Sequence, residues 1–219
     1  MDRRQYLRTT ATLGVATTSF AGCLGGGNPN TVLGEPDREF DSEDVPYPAW
    51  GEQVPAVTVP DPIAGESVST RDVDDISLYT FFFSHCKTVC PVLIGTLRNI
   101  QTHAANEGYA DSVLFLPMTF DPARDDAARL KEYAGEMNVN RDLGNWTFLR
   151  PETEARARTV VGETFGIRFE KDPMEDAEGY MFIHAAVILL VNEDGYVERA
   201  YRGQSPDQTA IIDDLTAVR

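Results

Sequence analysis

Two thiols, Cys86 and Cys90, stand four residues apart in the segment Phe83-Ser84-His85-Cys86-Lys87-Thr88-Val89-Cys90-Pro91. Side chains at i and i+4 share one side of a helical turn, so the two sulfurs can approach each other. The oriented N–H groups of a helix start stabilise a thiolate, which makes at least one cysteine nucleophilic and a good metal ligand. The sulfurs can also close a disulfide. Two chemistries suit such a pair: reversible oxidation, or capture of a soft ion such as Cu(I). A stabilising disulfide is the plainer alternative. Tetrahedral zinc would call for a second Cys or His pair, and none is present.

The elements that must position this pair follow from the hydrophobic pattern. Residues 76–83 are almost continuously apolar or β-branched, which predicts a buried central strand running straight into the cysteines. A helix is expected over 89–106, with Val92, Leu93, Thr96, Leu97 and Ile100 at helical spacing and Gly108 ending it. Residues 112–120 read as a second buried strand. Asp121-Pro122 should open a helix reaching about residue 138, with Asp125 and Asp126 in its early turns. A short strand is expected at 146–149 and a helix over 152–165, closed by Gly166. The last elements are a strand at 185–191, a turn at 192–195 and a pairing strand at 196–201. A terminal helix then follows, with Ser205 as its cap and Pro206 in its first turn.

Ahead of all these, residues 54–59 read as an edge strand, confined there by Pro55 and Pro60, and 67–70 completes a hairpin. Alternating strands and helices imply an α/β sheet with helices on its faces. A hydrophobic strand running into a cysteine pair at a helix start is similar to the thioredoxin-like layout. The expected fold is therefore thioredoxin-like, with an N-terminal β-hairpin extension and an inserted helix after Asp121. Thioredoxin spacing has two residues between its cysteines. The three here, Lys87, Thr88 and Val89, relax the redox geometry and leave room for a metal.

The chain has 219 residues, 35 acidic against 19 basic, a net charge of −16. That length suits one domain plus tails. Such acidity excludes a nucleic-acid-binding surface, because phosphate contacts need clustered Lys and Arg. Only Lys87, Lys131 and Lys171 are lysines. An acid-rich, lysine-poor surface fits a halophilic source, where dense salt screens self-repulsion within a few ångströms.

The first residues read as an address. Arg3 and Arg4 precede a charge-free stretch from Thr9 to Gly22, whose 14 residues are too short to span a bilayer. The arginine pair resembles a twin-arginine export signal. The stretch ends Phe20-Ala21-Gly22-Cys23, which resembles a lipobox with Cys23 lipidated, although Phe20 departs from the usual Leu. Cleavage there removes three arginines and one aspartate, leaving 16 basic and 34 acidic residues, a net −18. Residues 23–50 are rich in Gly, Pro and acids and read as a flexible tether, with the folded domain over 51–219.

Three segments in order resemble the Sco (SenC) family of copper chaperones. They are Cys-x-x-x-Cys-Pro after a hydrophobic strand, Phe120-Asp121-Pro122-Ala123-Arg124-Asp125, and His184 ahead of the apolar run to Val191 and the Asp194-Gly195 turn. The resemblance implies a thioredoxin-like fold binding one copper ion, Cu(I) or Cu(II), through Cys86, Cys90 and His184. It also implies a role in maturing the binuclear copper centre of a haem–copper terminal oxidase, with the membrane-bound copper subunit as partner. Some members are assigned thiol-disulfide reductase activity, for which Cys86 and Cys90 would be the redox-active pair. Two thiolates and a neutral imidazole make a good three-coordinate Cu(I) site. The family often has Pro where Lys87 stands, and polar neighbours of the histidine where Ile183 and Ala185 stand.

Other chemistry-bearing residues have blander readings beside them. His85 should point away from Cys86 if both lie on a strand, and His103 should be solvated. Met174 and Met181 are soft enough for Cu(I), or serve packing. Asp121, at the C-terminal end of a central strand, could tune thiol protonation, hydrogen-bond near a metal, or cap a helix. Four acids between Asp172 and Glu178 suggest a solvated turn or part of a docking face. Two functions are expected: an extracytoplasmic, lipid-anchored copper metallochaperone, or a thiol-disulfide oxidoreductase that reduces client cysteines. Peroxide reduction would need a peroxidatic cysteine loop with a supporting arginine, an arrangement the sequence does not show.

Overall fold

The computed structural model describes residues 28–37, 41–173 and 179–219. The export and lipidation motifs, Cys23 included, lie outside them. The first pairing is the hairpin β1 (Thr58–Asp61) and β2 (Glu66–Ser69). It starts later than the expected 54–59. Pro55 has no N–H to give a ladder, and the stretch before β1 is held by a side chain instead. Thr70 Oγ1 donates to Pro55 O at 2.6 Å and accepts from Val57 N at 3.0 Å.

All seven residues of β3 (Ile76–Phe82) are buried, as a continuous apolar run requires. It pairs in parallel with β4 (Val113–Thr119), joined to it by α1 (Val89–Asn106). On its other edge β3 meets β7 (Val187–Val191) antiparallel, and β7 carries β8 (Val197–Arg202). The main sheet thus runs β4-β3-β7-β8. Alternation along β3 sends side chains to both faces. Tyr79 and Phe81 meet Phe165, while Phe82 stacks on Tyr133 at 5.6 Å. Both faces are therefore covered, the thioredoxin-like arrangement that the sequence predicts.

Four boundaries differ from expectation, each for a local reason. The helix expected from Asp121 begins only at α2 (Ala127–Glu136), because Asp126 caps it by accepting from Arg129 N. Asp121 and Asp125 turn inward instead and are fully buried. Residues 146–149 follow the outer edge of β4 through isolated bridges from Phe115 to Trp146 and from Met118 to Leu149. The helix expected over 152–165 is α3 (Glu154–Ala157), capped by Thr153 and continued by a π-helical turn, Arg158–Thr164. The last helix, α4 (Gln208–Val218), is capped by Asp207 rather than Ser205, since the Asp207 carboxylate accepts from Thr209 N and Ala210 N.

A further hairpin, β5 (Phe169–Pro173) and β6 (Tyr180–His184), was not expected from the sequence pattern. It uses Asp172, which reads as part of an acidic turn. Of the stretch read as a tether, residues 28–37 and 41–50 are described, and several lie against the domain. Glu198, fully buried on β8, accepts from Val32 N at 2.8 Å, Leu33 N at 2.9 Å and Asn192 Nδ2 at 2.6 Å. Trp50 Nε1 donates to Leu33 O at 2.9 Å.

Candidate metal centre

β3 delivers the chain to Phe83, and the loop from Ser84 to Thr88 carries Cys86 to the start of α1. Thr88 precedes the helix but makes no side-chain cap to it. The Cys86 sulfur takes that place. It accepts from Cys90 N, in the first turn of α1, at 3.5 Å, and lies 3.5 Å from Thr88 Oγ1. Pro91 follows at a first-turn position, where its missing N–H removes nothing the helix would use. Cys90 is fully buried and Cys86 is 6% exposed; both are free thiols.

The two thiols are driven apart in acidity. The Cys90 thiol, then His184, Thr88 and the Cys90 amide, stabilise negative charge on Cys86 and outweigh its burial, bringing its pKa from 9.0 to about 3. Burial, reinforced by the Cys86 sulfur, pushes Cys90 up. Cys86 is thus the thiolate, and Cys90 keeps its proton until a metal or an oxidant removes it.

His184 closes β6 and brings Nε2 to 3.3 Å from Cys90 Sγ. Its Nδ1 lies 3.0 Å from Ala185 O. A carbonyl can only accept, so Nδ1 carries a proton, and Nε2 is the ring atom that faces the sulfurs. Backbone therefore does the orienting that polar neighbours would otherwise do, and Ile183, 69% exposed, points away. Phe120 and Phe83 flank the imidazole at centroid distances of 5.1 and 6.1 Å. The ligand atoms of Cys86, Cys90 and His184 all lie within 4.8 Å of one another. Among the described residues this is the group able to hold a metal ion.

The remaining candidates stand elsewhere. Asp121 is bonded to Arg124 Nε at 2.5 Å and Tyr180 Oη at 2.7 Å, and no hydrogen bond of its carboxylate reaches a sulfur. The carboxylate that faces the cysteine loop is Asp125, which sequence reasoning placed in a helical turn. It accepts from Ser84 N at 3.1 Å, from Ser84 Oγ at 2.6 Å and from Thr119 Oγ1. Burial raises its pKa against those bonds. Its place four residues after Asp121, in the segment that carries the Sco resemblance, was the available signal. His85 turns to Ser84 Oγ and Asp125, at 3.2 and 3.7 Å. His103 packs edge-on against Tyr109, 5.8 Å away, rather than standing free in solvent. Met181 is partly buried against the core, and Met174 lies outside the described residues. Lys87 is exposed at the rim.

Fold and site together define a thioredoxin-like protein with a Cys-Cys-His metal-binding cluster at the mouth of its first helix. The SCO1/SenC family pattern matches residues 63–218, most of the chain, and the chain belongs to that family. The SCO1 protein homolog of Bacillus subtilis (strain 168) is 26% identical over 140 residues, covering 64% of this chain and 68% of that protein. The mitochondrial SCO2 homolog of Mus musculus is 29% identical over 140 residues, 63% of this chain but only 51% of its own length. Among solved structures, Bradyrhizobium japonicum ScoI with copper bound superposes with a TM-score of 0.62 at 21% identity, covering 76% of this chain and 99% of that one. BsSco, described as a member of the Sco family of cytochrome c oxidase assembly proteins, gives 0.60 at 24% identity, with 78% and 95% covered.

Proposed function

We propose that this chain is an extracytoplasmic copper metallochaperone serving the binuclear copper centre of a haem–copper oxidase. The observation that carries the reading is His184 Nε2 facing the cysteine sulfurs, 3.3 Å from that of Cys90, with the ligand atoms of all three residues within 4.8 Å of one another. Two sulfurs and one imidazole nitrogen form a soft donor set that fits copper, and three donors fall one short of a structural zinc site. Cys86, Cys90 and His184 would hold the ion, and its capture would release the Cys90 proton. Family membership and the copper-bound relative support the same choice.

On this reading residues 1–22 direct export and Cys23 carries a lipid that keeps the domain on the outer face of the membrane, near a membrane-bound client. Among the described residues no helix is long and apolar enough to cross a membrane. A second reading, a thiol-disulfide oxidoreductase, is favoured by the unequal thiols. The Cys86 thiolate would attack a client disulfide and Cys90 would resolve the mixed disulfide, leaving the client reduced and the pair oxidised.

Copper transfer separates the two. The reduced, copper-loaded chain is mixed with the copper-free soluble domain of an oxidase copper subunit, its cysteines already reduced. The chaperone reading expects copper to appear in that domain. Reduction of a disulfide-bonded client without any copper transfer would replace it with the oxidoreductase reading.

A further inference from the structure

His184 reaches the sulfurs from a hairpin that does not belong to the main sheet. Among the described residues, β5 and β6 pair with each other in a two-stranded sheet, whereas Cys86 and Cys90 hang on β3 and α1. Ladder bonds fix the hairpin's internal register, and its His184 end runs within three residues into β7, with Gly203 N donating to Ala186 O at 3.1 Å. Neither fixes the Tyr180 end, and so the tilt of the strand that carries the imidazole.

Aromatic packing supplies one attachment. Phe120 stacks on Phe169 at 4.9 Å, and Phe182 sets its edge against Phe83 and Phe120, each at 5.1 Å. Such contacts tolerate sliding. A directional attachment lies at the other end of β6. The fully buried Asp121 carboxylate accepts from Tyr180 Oη at 2.7 Å and from Arg124 Nε at 2.5 Å. Arg124 Nη1 donates to Tyr180 O at 3.0 Å, and its guanidinium sits 3.7 Å from the centre of the Tyr180 ring and 5.7 Å from that of Phe83. One side chain thus touches the hairpin and the residue that opens the cysteine loop. Burial and the Asp121 carboxylate push the Tyr180 hydroxyl up to about 12, so it remains a donor.

Resting on the copper reading above, we infer that Asp121, Arg124 and Tyr180 form a clamp that sets the position of His184 relative to Cys86 and Cys90. Arg124 and Tyr180 are positioning residues for the metal centre. Tyr180 lies four residues before His184 and β7 begins three residues after it, so with the clamp loosened the strand pivots near Ala186, about 7 Å from His184, and a tilt of about 10° displaces the imidazole by about 1 Å. Metal–ligand distances tolerate about a fifth of that. Asp121 therefore acts on the site through the hairpin, with no bond of its own to a sulfur.

The test is a double-mutant cycle with His184→Ala, because a residue that acts only through the imidazole has nothing to act on once the imidazole is gone. Tyr180→Phe keeps the ring under Arg124 but removes the bond to Asp121. Copper affinity should fall roughly tenfold in the wild-type background and change less than about twofold in the His184→Ala background. The thiolate-to-Cu(II) absorption band should shift in the first case only. Equal losses in both backgrounds, or no loss in either, would overturn the inference.

A metal-free readout keeps the clamp testable apart from the copper reading. In the apo protein, amide exchange over 169–173 and 180–184 should rise roughly tenfold in Tyr180→Phe, while α1 and β3 stay at wild-type protection. Unchanged exchange in the hairpin would sink the clamp. Wild-type protein that binds no copper would sink the copper reading alone.

Discussion

The Nε2 of His184 stands 3.3 Å from the Sγ of Cys90, although 94 residues separate them in the chain. The imidazole arrives on one hairpin and the thiols on the β3–α1 junction, so the site exists only when the two are assembled. Its chemistry is asymmetric from the outset: the Cys86 pKa is pushed down and that of Cys90 up, with His184 Nε2 facing the pair.

That asymmetry has a pH signature. Because the Cys86 pKa is depressed to about 3, its thiolate stabilises the folded state fully above the ordinary thiol value of 9.0. The contribution is lost progressively as pH falls between those limits. Alkylation of Cys86 in the reduced, metal-free protein should therefore be nearly flat from about pH 5 to pH 8, where an ordinary thiol slows about tenfold per unit. Cys90→Ser removes the largest cause of the shift and should restore a steep dependence. A steep profile in the wild type would contradict the assignment of Cys86 as the thiolate.

Asp125 holds the cysteine loop to the end of β4. Replacing it by Ala leaves Ser84 N–H and two hydroxyls without their acceptor in a dry environment. Asp125→Ala should lower unfolding free energy by about 3 kcal/mol, measured by denaturant titration of the reduced apo protein. A loss within about 0.5 kcal/mol, the range of ordinary surface substitutions, would show that these bonds do not hold the loop.

Glu198 binds the segment before the domain to β8. Glu198→Ala removes the acceptor of Val32 N and Leu33 N, leaving single bonds as lesser ties, from Trp50 Nε1 to Leu33 O, Asn192 Nδ2 to Asn30 O, Arg199 Nη1 to Gly34 O and Asn28 Nδ2 to Gly51 O. Limited proteolysis should then cut between residues 28 and 37 several-fold faster than in the wild type, with the core uncut. Equal cleavage rates would mean that the carboxylate does not hold this segment.

Much of this was legible in residue order. A nearly continuous apolar and β-branched run predicts a central strand, and β3 is buried along its whole length. The Cys86–Cys90 spacing placed both thiols at a helix start, which is where α1 begins. What the pattern did not show were features set by tertiary partners. In the β5–β6 hairpin β5 is short and charged and β6 is apolar without polar alternation, and its stability comes from Phe120, Phe83 and Arg124 on other elements. Asp121 and Asp125 look like helix-start acids in sequence; only the fold reveals that one grips Tyr180 and the other Ser84. Likewise Gly, Pro and acid content marks residues 28–37 as unstructured by composition, and a buried glutamate on β8 is invisible from there.

The central claim is that His184 completes a copper site with Cys86 and Cys90, and copper titration of the reduced chain beside His184→Ala tests it most directly. The wild type should bind one copper per chain, with a thiolate-to-Cu(II) charge-transfer band in the oxidised form. His184→Ala should bind Cu(II) at least about tenfold more weakly and lose or shift that band, while keeping both thiols reactive. Wild-type affinity and an unchanged spectrum in His184→Ala would contradict the account.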